Sequence, residues 1–222
     1  MNWEQWYKQA MYNQVVFSPW NGYGEFGQDF STDEKARTIV SYDRVWILYS
    51  LLHNIISSNN QGEIWECGVY KGGTAMVMAN LLRRLNRTNI FRLFDTFQGM
   101  PKTDPNKDAH KQGDFSDTNI KDVQKVVKYN HLIFHKGFIP NTFEGLENSS
   151  ISFAHIDVDI YSSVMDCCNF IWSRLNTGGI MLFDDYGFAQ TRGCLQAVDE
   201  FFGNKNLYPI VLPTGQSFII RA

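Results

Sequence analysis

The sequence predicts an α/β protein: a doubly wound, mostly parallel, seven-stranded Rossmann-like sheet that ends in an antiparallel hairpin and carries an N-terminal helical cap. Three observations lead there. From about residue 62 onward, short apolar runs alternate with amphipathic stretches. Most of these runs are near-continuously apolar, as in strands covered on both faces. The last two runs are separated only by Thr214 and Gly215, too little for a crossover. Right-handed crossovers between the earlier strands then place helices on both sides of one sheet. A chain of 222 residues holds one full domain with an appendage, at ~100–200 residues per domain. We divide it into a cap and substrate-lid region over 1–60 and a main domain over 61–222.

Residues 31–58 read as a helix, with Ser31 and Glu34 at capping-box spacing and a stripe through Val45, Leu48, Leu52 and Ile55. A Gly- and aromatic-rich loop, FSPWNGYGEFGQDF, precedes it. The strand candidates are 62–68, 89–95, 131–137, 151–159, 178–185, 208–213 and 216–222. Helical patterns fall at 73–86, 118–129, 162–175 and 191–203, with a short one near 141–147. Between the second strand and its helix lies QGMPKTDPNKDAHKQGDFSD, longer than the ~12–15 residues an irregular loop usually reaches, and we expect a lid there.

Composition removes several function classes. Twenty Lys and Arg against 23 Asp and Glu give a net charge of −3, so no broad basic face exists for nucleic acid. No window approaches the ~18 apolar residues of a membrane span. MNWEQWYKQA has an acidic group and no apolar core of a signal peptide, which predicts a cytoplasmic protein. Cys67, Cys167, Cys168 and Cys194 form no Cys-x-x-Cys, so we expect reduced, buried thiols rather than a thiolate metal cage.

In open α/β sheets, ligands bind beyond the carboxyl ends of the strands. The first strand runs into Glu66-Cys67-Gly68-Val69-Tyr70-Lys71-Gly72-Gly73-Thr74, an acidic residue followed by a glycine-rich turn into a helix. Glycines let backbone approach a ligand, and helix-start amides face it. Gly-x-Gly-x-x-Gly and Gly-x-x-x-x-Gly-Lys-[Ser/Thr] are both absent, so the loop suits a ligand without phosphates. Asp95 ends the second strand, where a carboxylate can accept from both hydroxyls of a ribose. An adenosine-type ligand with a zwitterionic or cationic remainder fits, as S-adenosylmethionine does. Asp157 and Asp159 close the fourth strand and Asp184 and Asp185 the fifth. On neighbouring strands these acids would meet; crowded carboxylates must protonate, find arginines or bind a cation, and an all-oxygen donor set selects Mg²⁺ or a similar hard ion.

WECGVYKGGTA, FRLFDTFQGMP, GDFS, HKGFIPNTF, HIDVDIYSS and GGIMLFDDYG, in this order, resemble the macrocin O-methyltransferase (TylF-type) family of S-adenosylmethionine-dependent enzymes, which methylate sugar hydroxyls. The likeness runs from about Thr38 to the end and includes TIVSYDRVWILYSLL. It implies a class I methyltransferase sheet. It implies a cofactor site across Glu66, Cys67, Gly68, Lys71, Gly72, Gly73, Thr74, Asp95, Thr96, Phe97 and Asp157. Asp114 and Ser116, in GDFS, and Gly137 and Phe138 would lie near the adenosine. It further implies a divalent ion, usually Mg²⁺, on Asp157, Asp184 and Asp185, with Asp159 as general base. The family usually has glycine between the paired acids, where this chain has Val158, so the antibiotic-sugar substrate does not transfer with the motif.

The expected activity is metal-dependent O-methylation of a sugar or vicinal-diol hydroxyl, on a glycoside or sugar nucleotide, with neither nucleic acid nor membrane as partner and homo-oligomerisation open. A catechol-type O-methyltransferase shares the acidic cation site. An NAD(P)-dependent sugar oxidoreductase or epimerase would need a dinucleotide fingerprint, and usually Tyr-x-x-x-Lys, and both are missing. A non-catalytic binder would keep the fold with less reason to keep four acids. His155 reads as a hydrogen-bonded core histidine and His110 as a solvated loop residue. Tyr161 and Tyr186 either line the acceptor pocket or fill the sheet edge. Lys102, Lys107 and Lys111 alternate with Asp104 and Asp108, an ordinary solvated loop pattern. Trp3, Trp6, Tyr7 and Trp20 would pack on their own domain, a partner or the acceptor entrance.

Overall fold

The computed structural model describes residues 37–222. The capping-box pair, the preceding Gly- and aromatic-rich loop and the group of Trp3, Trp6, Tyr7 and Trp20 lie outside the described residues. Helix α1 spans Tyr42–Ser57, so it starts well after the predicted residue 31. The β-branched run Thr38-Ile39-Val40 disfavours helix, and the Thr38 hydroxyl accepts from the Val40 amide at 3.0 Å in a local turn. The predicted stripe on α1 is buried throughout, joined by Tyr49 and Ile56.

After α1 come β1 (Glu63–Cys67), α2 (Gly73–Arg84), β2 (Phe91–Asp95), α3 (Ile120–Val126), β3 (Leu132–Lys136) and β4 (Ile151–Ile156). Then follow α4 (Tyr161–Ile171), β5 (Leu175–Phe183), α5 (Arg192–Gly203), β6 (Ile210–Val211) and β7 (Ser217–Ile220). The sheet order is β3-β2-β1-β4-β5-β7-β6, with only β7 antiparallel to its neighbours. The chain winds outward from β1 to β3 and then returns to β4, which puts the topological switch between β1 and β4.

Strand alternation sorts the core. Ile64, Phe91, Leu93, Phe153, Ile180 and Leu182 pack under α1, α2 and α3. Trp65, Cys67, Phe94, Ala154, Ile156, Met181 and Phe183 pack under α4 and α5. All four cysteines are buried. Three predicted boundaries shift: β4 ends at Ile156, so its acids sit in the following turn; β5 takes Leu175, assigned above to the preceding helix; and 141–147 forms only a 3₁₀ turn, Asn141–Phe143.

Candidate active site

The glycine loop is pressed against the β4 turn. Gly68 has φ 89°, and a Cβ there would fall 1.7 Å from the Asp157 carbonyl oxygen, so only glycine fits. Asp95 holds the loop in shape. Its Oδ2 accepts from the Val69 and Tyr70 amides at 2.7 and 2.8 Å, and its Oδ1 from the Phe97 amide at 2.6 Å. A carboxylate has about four acceptor positions, so one remains, on Oδ1. Sequence reasoning gave Asp95 room for two ribose hydroxyls; the folded loop leaves room for one.

Glu66 and His155 are register partners on β1 and β4, and Asp184 follows β5 on the same face. His155 Nδ1 lies 3.2 Å from Glu66 Oε1, and its Nε2 lies 3.4 Å from Asp184 Oδ1; all three side chains are fully buried. Gln216 Nε2 donates to Asp184 Oδ1 at 2.7 Å, and the Arg44 guanidinium bonds Asp184 Oδ2. Burial opposes charge on His155, yet its bonds to Asp184 and Glu66 push it up to about 10. Burial likewise opposes the Asp184 carboxylate, which His155 and Arg44 nonetheless hold below its ordinary range. An imidazolium has no lone pair to give a metal. His155 is therefore a charged tie between the glycine loop's strand and the acid cluster.

The remaining acids have no such support. None of the ion pairs among the described residues involves Asp157 or Asp185. Burial, then repulsion from Asp184 and Asp185, raises the Asp157 carboxyl well above its usual range. Burial and Asp184 push Asp185 up to about 7. Asp159, in the left-handed region at φ 57°, is raised by burial and then by Asp185; its amide donates to Asp185 Oδ2 at 3.3 Å. His110 Nε2 stands 3.6 Å from Asp159 Oδ1 and its Nδ1 3.3 Å from Asp114 Oδ2. His155, Asp157 and Asp184 each present a potential ligand atom within 4.8 Å of the others. Asp185, in the turn after β5, accepts from the Asp159 amide and lies near Asp157. Four aspartates against Arg44 and His155 leave surplus negative charge in a partly buried place, which a hard dication would offset.

Arg44, Asp95, Asp157, Asp159 and Asp185 line one cleft. Of the residues singled out in sequence, Gly68, Thr74, Asp95, Thr96, Gly137, Phe138, Asp157, Asp159 and Asp185 border it. Asp184 lies just behind its wall. Glu66 and Cys67 lie beneath the loop, fully buried. Lys71 faces outward and pairs with Asp117. Gly72 and Gly73 shape the start of α2, with Gly72 at φ 86° over Val123. Phe97 is buried behind Asp95, while Asp114 and Ser116 stand outside the cleft, Asp114 bonded to the Lys111 amide at 2.9 Å. Sequence reasoning missed Arg44, Tyr70 and Ile139, which the cleft includes, whereas Phe115 belongs to the GDFS run expected near the adenosine. Tyr161 and Tyr186 fill the far side, bonded to Glu200 and Asp199.

A family model described as macrocin-O-methyltransferase (TylF) matches residues 6–211. Demethyldecarbamoylnovobiocin O-methyltransferase of Streptomyces niveus is 23% identical over 188 residues, spanning 79% of this chain and 70% of that protein. The 8-demethyl-8-(2,3-dimethoxy-α-L-rhamnosyl)-tetracenomycin-C 4′-O-methyltransferase of Streptomyces olivaceus is 24% identical over 181 residues, 76% of this chain and 68% of that one. Among solved structures, the O-methyltransferase NovP superposes with a TM-score of 0.75 at 20% identity, covering 84% of this chain and 82% of that one. The sheet is thus the class I methyltransferase fold expected from sequence.

Proposed function

The chain belongs to the macrocin-O-methyltransferase (TylF) family, and from that premise we propose that this O-methyltransferase takes S-adenosylmethionine and a divalent cation and methylates a sugar or vicinal-diol hydroxyl. The observation that carries the metal part is the crowd of aspartates at the β4 and β5 turns, with Asp157 and Asp185 in no ion pair among the described residues. The rhamnosyl substrate named for one relative favours a sugar over a catechol.

Asp157, Asp185 and the one acceptor position left on Asp184 would hold the ion. When bound, it supplies Lewis-acid polarisation of an acceptor hydroxyl. Asp159 takes the hydroxyl proton; burial among acids makes it a stronger base than an ordinary aspartate, closer to the operating pH. The cofactor's sulfonium methyl is already electrophilic, so the protein's remaining task is position. Gly68 lets the β4 turn pack against the loop that would take the methionine end, Asp95 Oδ1 would receive one ribose hydroxyl, and Phe138, 44% exposed on the cleft wall, would cover the adenine. Val158 borders the cleft beside these acids, where it would meet the acceptor.

The test is a methyl-transfer screen over TDP-rhamnose, simple glycosides and catechols, with and without EDTA. Transfer to a sugar hydroxyl that stops on chelation and returns with Mg²⁺ is expected. Activity indifferent to EDTA removes the metal, and turnover of catechols alone replaces the sugar.

A further inference from the structure

The long segment between β2 and α3 is not a loose lid. Met100 and Asp114 join through a backbone bond of 2.8 Å, closing the loop on itself. Its tip is stitched to the opposite side of the cleft. Asp108 is 6% exposed although it sits in a polar loop. Its Oδ1 accepts from the Tyr161 amide at 2.8 Å, and its Oδ2 from the Asp104 amide at 3.1 Å. Tyr161 opens α4, and the residue before it, Ile160, has no side chain able to cap. Asp108 therefore serves as the N-cap of α4 from 53 residues away. Around it, Arg192 donates to the Lys107 and Asn106 carbonyls at 3.3 and 3.2 Å, and the Lys107 ammonium lies 3.2 Å from the centre of the Tyr161 ring. A Cβ at Gly193 would fall 2.2 Å from Asp108 Oδ1, so α5 needs glycine there for the loop to dock.

What this junction holds is the turn carrying Asp159. Between β4 and α4 the chain has only Asp157 to Ile160. Asp159 is in the left-handed region at φ 57°, and the Ile160 amide folds back to the Val158 carbonyl at 2.6 Å. A non-glycine residue in that region stays there only when its surroundings fix both ends of the turn. The Cys67 carbonyl fixes one end through the Asp157 amide at 2.8 Å. Asp108 fixes the other through Tyr161. The same docking sets His110, two residues along, facing Asp159.

We propose that Asp108 is a positioning residue for the methyl-transfer site: by capping α4 across the cleft, it locks the left-handed turn that presents Asp159 and fastens the 98–118 loop over it. This rests on Asp159 being the base. The position of Asp108 separates it from the solvated charge pattern that its neighbours suggest.

The test uses the full chain with S-adenosylhomocysteine as probe. Amide hydrogen exchange is followed at 159–163, at 101–116 and at β4, in the wild type and in Asp108→Ala, Asp108→Asn and Gly193→Ala. Losing a cap should speed exchange at the first two segments about tenfold in Asp108→Ala, with β4 unchanged and probe affinity within about twofold. Asp108→Asn keeps an acceptor oxygen for Tyr161 and should restore the 159–163 segment, whereas Gly193→Ala should displace Asp108 and mimic Asp108→Ala. Unchanged exchange at 159–163 in Asp108→Ala, exchange raised equally in β4, or no rescue by Asn overturns the proposal; if the Ala variant does not fold, Gly193→Ala against wild type decides by the same readings. Failure of the base reading is a different result: Asp159→Asn would still turn over an acceptor while Asp108→Ala still loosened the turn.

Discussion

The two halves of the carboxyl edge treat their acids in opposite ways. On the β1–β2 side, Asp95 accepts from three backbone amides and keeps one acceptor position, and Glu66, though raised by burial, is tied to His155 through Oε1, so each carboxylate is built into the shape of the glycine loop. On the β4–β5 side, Asp184 is held by His155, Gln216 and Arg44, while Asp185 has one amide at 3.3 Å, Asp159 has His110 at 3.6 Å, and Asp157, Asp159 and Asp185 crowd one another and are all raised by burial and mutual repulsion. Acids held by backbone amides or by His155 specify a structure, and crowded ones store an electrostatic demand that chemistry can use. The seam between the halves is the Glu66–His155–Asp184 tie.

The largest expected break in this contrast is Asp159→Asn. The change is nearly isosteric, so the turn and the cofactor side should persist and cofactor affinity should stay within about twofold. Turnover should fall by about 10²–10⁴, the usual contribution of a positioned general base. Unchanged turnover would reject the assignment.

Next comes the pH response of the metal-free protein. Asp185 binds its proton more readily in the folded state, up to about 7 against 3.8, so stability falls as pH rises through that window. His155, raised from 6.5 to about 10, contributes stability that is complete below 6.5 and is lost as pH climbs towards 10. Both act in the same direction. The Asp184 contribution disappears only when pH drops below the ordinary carboxylate range. Thermal unfolding in EDTA should therefore show a midpoint decreasing from about pH 5 to about pH 9. The Asp185 part alone has a ceiling of about 4 kcal/mol at ~1.4 kcal/mol per unit. Mg²⁺ should flatten the slope, and a flat profile in EDTA would show that the acids are neutralised by other means.

Asp95→Ala tests the half built into the glycine loop. Three amides lose a charged acceptor, which should cost about 2–3 kcal/mol of stability and weaken S-adenosylhomocysteine binding at least tenfold. Calorimetric binding and thermal melts read both. Full stability with lost affinity would mean that the carboxylate serves the ligand more than the loop.

Much of this contrast is legible in the sequence, for reasons that can be stated residue by residue. Strand periodicity locates β1, β2, β4 and β5, and the acids at or just beside their carboxyl ends meet at one edge, because neighbouring parallel strands end together. What stays hidden depends on register and on distant chain. That Glu66 faces His155 follows only once β1 and β4 are paired. Arg44 reaches Asp184 across 140 residues, Gln216 across 32, and Asp108 reaches Tyr161 across 53, and no local pattern encodes such meetings. A lone, partly buried arginine partner is invisible in composition because it changes no periodicity. Asp108 was hidden by its neighbours, since an alternating Lys and Asp loop looks solvated until one of its acids is found buried. The start of α1 was misplaced for a simpler reason: the capping-box pattern at 31–34 outweighed the β-branched run at 38–40 that keeps residues 37–41 out of the helix.

The smallest effect sharpens the comparison most, because it touches the border between the halves. Val158 lies between the paired acids, borders the cleft, and has its Cγ1 within 3.4 Å of where a Gly68 Cβ would be, so its side chain roofs the glycine loop from the acid side. The TylF-type pattern described above has glycine at this position. Val158→Gly should remove that roof at a cost of about 1 kcal/mol, from lost packing and added backbone freedom. Cofactor affinity should hold, since Gly68 and Asp95 are untouched, while KM for bulkier glycosides drops a few-fold relative to small ones. Acceptor kinetics on a size series would read the change. Equal KM shifts across the series would place acceptor selection elsewhere on the wall, with Phe138 and Ile139 the next residues to truncate.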